Sequence, residues 1–141
     1  MKIAGYMLNK AKRILKGIIK GAYLAFGDSV DKLARFLTRK TPIKFKEWSK
    51  DSFTSRSGNI LPWDKAEHVI RGFLVGLFIM TVLDGGRWYL NLGFYSLFVL
   101  GYETYNGYQP YNGKNIEGFS FKDLVADYTG YLLAFGVLCL F

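Results

Sequence analysis

Residues 64–83 read DKAEHVIRGFLVGLFIMTVL. Asp64 and Glu67 stand three apart ahead of an apolar run, the spacing of a capping box, so a helix is expected from Asp64 to about residue 84. Its first two turns hold His68 and Arg71, three apart and therefore on one face. From Gly72 to Leu83 it carries no charge for 12 residues. A charged head on an apolar body is the pattern that decides the fold, and it recurs twice further on.

After Asp84-Gly85-Gly86, which reads as a tight turn, a second helix is expected from Arg87 to about Tyr105. It is uncharged for 15 residues from Trp88 to Tyr102 and is closed by Glu103. A loop rich in Gly, Asn and Tyr follows, with Tyr-Asn-Gly at 105–107 and again at 111–113. Ser120 can cap a third helix, with Asp123 three positions on and Asp127 a turn later; its remaining 14 residues run uncharged to Phe141. Runs this short are more often core helices than membrane spans, which need about 20 residues. Counted with their charged ends, the helices reach about 18–21 residues, close to the ~30 Å of the hydrocarbon layer at ~1.5 Å per residue. Trp63 and Trp88 bracket the first apolar helix as interfacial aromatics do. The C-terminal Leu-Leu-Ala-Phe-Gly-Val-Leu-Cys-Leu-Phe has no polar face. Residues 63–141 are therefore expected to form an all-α, short, antiparallel three-helix membrane bundle.

The N-terminal half is of another kind. The formal net charge of the 141 residues is +8, but residues 1–66 hold 15 Lys/Arg against 5 Asp/Glu, and residues 67–141 hold 4 against 6. Such asymmetry points to a polyanionic partner. Residues 2–26 repeat apolar positions at Ile3, Met7, Ala11, Ile14, Ile18, Ala22 and Phe26, with Leu15, Ile19 and Tyr23 widening the stripe. Lys10, Lys12, Arg13, Lys16 and Lys20 fill the other face. That pattern fits a helix lying in the headgroup plane of an anionic phospholipid membrane. Gly27 is a plausible stop and Ser29 a new N-cap for a second helix ending before Pro42. From Pro42 to Pro62 the chain is polar and irregular, with Ser-Arg-Ser-Gly at 55–58 as a linker signal. The division expected is thus 1–62, a basic amphipathic membrane-surface region, and 63–141, the hydrophobic bundle. Nucleic acid is the rival polyanion. Phe45, Trp48 and Phe53 lie near lysines, but no nucleic-acid module is recognisable, so it is not favoured.

Cys139 and His68 are single, which sets aside an internal disulfide, thiolate clusters and multi-histidine zinc sites. No phosphate loop, dinucleotide glycine pattern or nucleophile elbow is present, so no cofactor and no metal is expected. The lysines interrupting residues 10–20 break any secretory signal.

If the three helices pack up-down-up, the start of the first, the end of the second and the start of the third share a level. His68, Arg71, Glu103, Asp123 and Asp127 then cluster, with Asp64 beside them. Asp123 is nearest its helix start, where backbone amides favour a carboxylate. Glu103 and Asp127 are therefore the expected inner pair, with Arg71 on a carboxylate. The cluster reads either as a structural lock or as a catalytic trio of His68, Glu103 and Asp127.

Trp63-Asp64-Lys65-x-x-His68, Tyr102-Glu103 and Gly118-Phe119-Ser120-x-Lys122-Asp123-Leu124-x-x-Asp127-x-x-Gly130 resemble the VanZ-like and YfiM-like bacterial membrane or envelope proteins over residues 63–136. Two features depart from the YfiM-like pattern. Asn106 stands where that pattern has a second acid, and its lipoprotein signal is not seen here. The resemblance implies an architecture and site positions rather than a reaction.

The expectation is a small, noncatalytic integral membrane protein of a bacterial envelope or a bacteriophage. Its N-terminus is cytoplasmic, by retention of Lys/Arg inside, and protein partners in a larger assembly are conceivable. The alternatives are a membrane-embedded enzyme acting on a lipid or cell-wall precursor, and a phage ejection component inserting into the host membrane.

Overall fold

In a computed structural model of the chain, residues 2–54, 61, 63–83, 87–112 and 117–140 are described. The fold is all-α: helices α1 (Lys2–Lys40), α2 (Asp64–Val82), α3 (Trp88–Gly107), the single turn α4 (Gln109–Asn112) and α5 (Phe121–Leu138). Among the described residues there is no strand; two isolated bridges join Ile43 to Tyr108 and Phe45 to Phe119. The turn expected at 84–86, the linker at 55–58 and the second Tyr-Asn-Gly glycine, Gly113, lie outside the described residues.

The first correction concerns α1, which is one helix of 39 residues rather than two. Gly27 does not stop it, and the Ser29 hydroxyl bonds back to the Ala25 carbonyl at 3.0 Å instead of capping a new helix. The reason for a glycine there is Trp48. A Cβ at position 27 would sit 2.8 Å from the Trp48 ring, so its absence lets the indole lie against the helix backbone. Trp48 then meets Phe26 edge-on at 5.3 Å, Tyr23 at 5.9 Å and Phe53 at 6.1 Å between ring centroids.

Residues 41–54 are accordingly a strap and not a free irregular stretch. The strap turns back at Thr41, whose hydroxyl bonds the Leu37 carbonyl, and Thr38 accepts the Phe45 amide. Asp31 accepts the Ser49 amide at 3.2 Å, and Arg35 pairs with Glu47 at 2.8 Å. Burial works against the Asp31 anion, but hydrogen bonds from Ser49 and from the Trp48 amide outweigh it and hold the carboxyl below its ordinary range. On its other side the strap is bonded across the 62/63 division of the sequence. Lys44 N–H donates to Gly107 O, Phe119 N–H to Lys44 O and Lys46 N–H to Phe119 O, each at 2.8 Å. Phe45 packs on Phe119 at 4.9 Å.

Helices α2 and α5 are the tightest pair, and they run in the same direction with their N-terminal ends together. Backbone meets backbone. An added Cβ would fall 2.2 Å from the Asp127 carbonyl oxygen at Gly72, and 2.1 Å from the Val69 carbonyl oxygen at Gly130. Small residues four apart, such as Gly72 and Gly76, permit this approach. Helix α3 runs oppositely against both, and Met80, Tyr95, Val99, Tyr131 and Ala134 form the shared core. The Tyr95 hydroxyl donates to the Asp127 carbonyl at 2.6 Å.

Three smaller differences have local causes. Trp63, not Asp64, takes the N-cap position of α2, with no side-chain cap; the Asp64 carboxylate turns to Lys65 instead, while Glu67 accepts the Leu61 amide. The first Tyr-Asn-Gly, 105–107, ends α3 rather than opening a loop, and Gly107 is pressed against Ile43 and the strap. Helix α5 closes at Leu138, short of Phe141. The expected Ser120 cap is present, its hydroxyl accepting the Asp123 amide at 3.1 Å.

Among the described residues, no helix is long and apolar enough to cross a membrane. The outer faces of α2, α3 and α5 nonetheless expose a belt of large apolar side chains, among them Leu74, Phe78, Phe94, Leu97, Leu132 and Leu133.

Candidate functional site

The charged ends of three helices meet at one end of this core. Asp64, Lys65, His68 and Arg71 follow at one, three and three residues, so a single face of α2 carries all four. Ser120, Lys122, Asp123 and Asp127 come from the start of α5, and Glu103 from the last turns of α3. Most of these polar side chains are buried, and Glu103 and Asp127 are fully enclosed at 0% exposure. Such a group persists only where its charges are paired and hydrogen-bonded.

The pairing has two tiers. In the outer tier the Lys65 ammonium bridges three acids: Asp51 at 3.0 Å, Asp64 at 2.8 Å, and Asp123. The Ser120 hydroxyl and Lys122 also bond Asp51, through its carboxylate and its backbone carbonyl respectively. The Lys122 ammonium lies 4.8 Å above the Trp48 ring, so the strap is tied to α5 by charge as well as by packing. In the inner tier Arg71 grips Asp127 with two nitrogens, Nη2 at 2.7 Å and Nε at 3.3 Å, a bidentate pair. Its guanidinium lies 4.1 Å above the Tyr102 ring. Glu103 accepts the Ser120 amide through Oε2 at 3.0 Å; its Oε1 has no hydrogen-bond partner among the described residues, and Arg71 Nη2 is 3.8 Å away.

His68 joins the tiers. Its Nδ1 is 3.1 Å from Asp127 Oδ2 and 2.7 Å from Arg71 Nη2. Its Nε2 looks the other way, 3.6 Å from Asp64 Oδ1 and 3.7 Å from Asp123 Oδ2. Each imidazole nitrogen thus faces carboxylate oxygens.

The arrangement brings together His68, Arg71, Glu103, Asp123, Asp127 and Asp64. Asp123 departs from its expected part: its carboxylate holds Lys65 rather than helix amides, while its own amide is satisfied by Ser120. Reasoning from sequence missed Lys65, Lys122 and Asp51. Lys65 and Lys122 were visible within the quoted motifs, next to Asp64 and Asp123. Asp51 had no local signal, because only the strap's return brings it within reach. Lys10, Lys12, Arg13, Lys16 and Lys20 lie exposed along α1, apart from this cluster.

Chemically, the site offers one imidazole, a carboxylate oxygen with no hydrogen bond among the described residues, and three cations, at the head of an apolar body. Compared with protein-family models, curated proteins and solved structures, the chain finds no match.

Proposed function

We propose that the chain is a small, noncatalytic membrane-embedded protein of a bacterial envelope or a bacteriophage. In this reading α2, α3 and α5 form a short antiparallel three-helix membrane bundle, and α1 lies along the anionic lipid surface on the cytoplasmic side. The observation that carries it is the apolar belt. Side chains such as Leu74, Phe78, Leu97 and Leu133 stay exposed around all three helices while the charges are enclosed at one end. Monomeric soluble proteins rarely expose contiguous apolar patches beyond a few hundred Å².

The apolar lengths fit a thin slab. The 12 uncharged residues from Gly72 to Leu83 rise about 18 Å, less than the ~30 Å hydrocarbon layer. The charged head then sits at the interface, and exposed Trp88 and Tyr89 mark the opposite rim. Lys10, Lys12, Arg13, Lys16 and Lys20 of α1, with its apolar stripe, suit headgroup binding. The resemblance to VanZ-like and YfiM-like envelope proteins supports the same assignment through residues that this cluster uses. Extraction of cell membranes containing the full chain with alkaline carbonate tests the proposal: the protein stays in the pellet. Release into the supernatant would overturn it.

The convergence of His68, Glu103 and Asp127 favours a second reading, a membrane-embedded enzyme acting on a lipid or cell-wall precursor. Asp127→Asn separates the two, since a lock loses stability while a catalytic carboxylate loses turnover in a protein that still folds.

A further inference from the structure

We propose that His68, Glu103 and Asp127 form a site for one divalent transition-metal ion, of the Zn2+ or Mn2+ class, at the head of the helices. The proposal goes beyond the membrane assignment and needs only the packing of α2, α3 and α5. Each helix supplies one ligand: a His68 ring nitrogen, one Glu103 carboxylate oxygen and one Asp127 carboxylate oxygen all lie within 4.8 Å of one another, and the His68 nitrogen on the Asp127 side is Nδ1, 3.1 Å from Oδ2. All three residues are buried.

The independent sign of a missing ligand is Glu103. Its side chain is wholly enclosed, Oε1 has no hydrogen-bond partner among the described residues, and it lies 3.8 Å from the Arg71 nitrogen that contacts His68 and Asp127. Buried carboxylate oxygens are ordinarily satisfied. The contact of His68 with Arg71 is a second sign. If Nδ1 carries no proton, it accepts from Arg71 Nη2 at 2.7 Å, but its lone pair then opposes Asp127 Oδ2 at 3.1 Å. If Nδ1 is protonated, it donates to Asp127 and opposes the Arg71 donor. With Asp127 ionised, neither state of Nδ1 satisfies both contacts. A metal ion accepts electron pairs from nitrogen and both carboxylates at once.

The surroundings of His68 fit a metal ligand. A ligating imidazole characteristically turns its other N–H to a carboxylate, which fixes the tautomer. Here Nε2 faces Asp64 and Asp123 at 3.6 and 3.7 Å, and Lys65 holds the other oxygen of each. One imidazole with two carboxylates and no thiolate suits Zn2+, Mn2+ or Fe2+, and offers too few oxygens for Ca2+.

Arg71 is the competitor. Its Nη2 occupies the meeting point of the three ligands, but its side chain is 23% exposed and lies on Tyr102, so it can withdraw toward solvent. Arg71 therefore acts as a built-in cation that metal binding displaces.

The test uses the full chain in detergent, stripped with chelator and titrated with ZnCl2 and MnCl2 by calorimetry. The expected result is one saturable site per chain, weakened about 10-fold or more in Glu103→Gln and strengthened in Arg71→Met. Asp64→Asn should weaken it about 10–100-fold, as loss of an outer carboxylate does. Because Glu103→Gln could disturb folding, pulsed EPR of the Mn2+ adduct of the unmodified chain supplies a second reading. His68 is the single histidine, so coupling to one imidazole nitrogen identifies it. Absence of a saturable site in both the unmodified chain and Arg71→Met would overturn the proposal. So would a Mn2+ adduct with no imidazole coupling. Neither result would bear on carbonate extraction, so the membrane assignment stands or falls separately.

Discussion

Replacing Asp127 by asparagine keeps the shape of the side chain and removes its charge, which isolates what the carboxylate does. Asp127 is 0% exposed and takes both nitrogens of the Arg71 fork while lying against His68 Nδ1. Its backbone carbonyl still receives the Tyr95 hydroxyl after the change, so the helix contact survives. Removing one member of a buried ion pair costs about 3–5 kcal/mol. Arg71 is 23% exposed and can recover some hydration, which places the expectation at the lower end, about 3 kcal/mol. For a chain of this length that corresponds to a fall in Tm on the order of 10 °C. Thermal unfolding followed by circular dichroism in one detergent reads it directly. Arg71→Met alone should also destabilise, while the double variant should recover part of the loss, because both charges of the pair are removed together. An Asp127→Asn protein with the Tm of the original, or fully additive losses in the double variant, would refute the lock.

Gly130→Ala should destabilise by about 3 kcal/mol or fail to accumulate, because its Cβ would meet the Val69 carbonyl oxygen at 2.1 Å. Gly136→Ala, with nothing within 4 Å, should be neutral or stabilising by about 0.5–1 kcal/mol, and matched melting curves compare the two. A peptide of residues 1–40 should bind anionic vesicles far more strongly than neutral ones, with about 1 kcal/mol per basic residue near the surface and a steep loss in salt. Equal binding to both at low salt would contradict the electrostatic account. Because the Asp31 carboxyl is held below its ordinary value of 3.8, its stabilisation is present above that value and is lost as pH falls through the lowered one. Protease cleavage in α1 should therefore increase at the acid end with an acid-active protease, and Asp31→Asn should show that sensitivity already at neutral pH.

What the sequence disclosed and what it hid divide by range of interaction. The charged heads and apolar bodies of α2, α3 and α5 are local patterns, and Ser120 announced its helix by its spacing to Asp123. The gathering of His68, Glu103 and Asp127 followed from alternating helix direction alone. Asp51 and Trp48 could not be read in this way. Both act through the strap at 41–54, whose course is set by backbone hydrogen bonds to Gly107 and Phe119, more than 60 residues away in sequence. The same contact explains the error at Gly27, where a glycine serving close approach to an indole looks identical, in one dimension, to a helix stop. Asp64 misled for a related reason: a carboxylate at the right place for a cap was claimed by Lys65 and His68.

The most direct test of the central claim is the depth of a nitroxide at Leu133, attached through Leu133→Cys in a Cys139→Ser background and reconstituted in bilayers. Leu133 is exposed in the middle of the apolar part of α5. Power-saturation EPR should find it relaxed efficiently by oxygen and shielded from a water-soluble nickel complex, while Lys32→Cys on α1 shows the reverse. If the label at Leu133 meets the nickel complex as freely as the label at Lys32, the apolar belt does not face lipid and the membrane assignment is wrong.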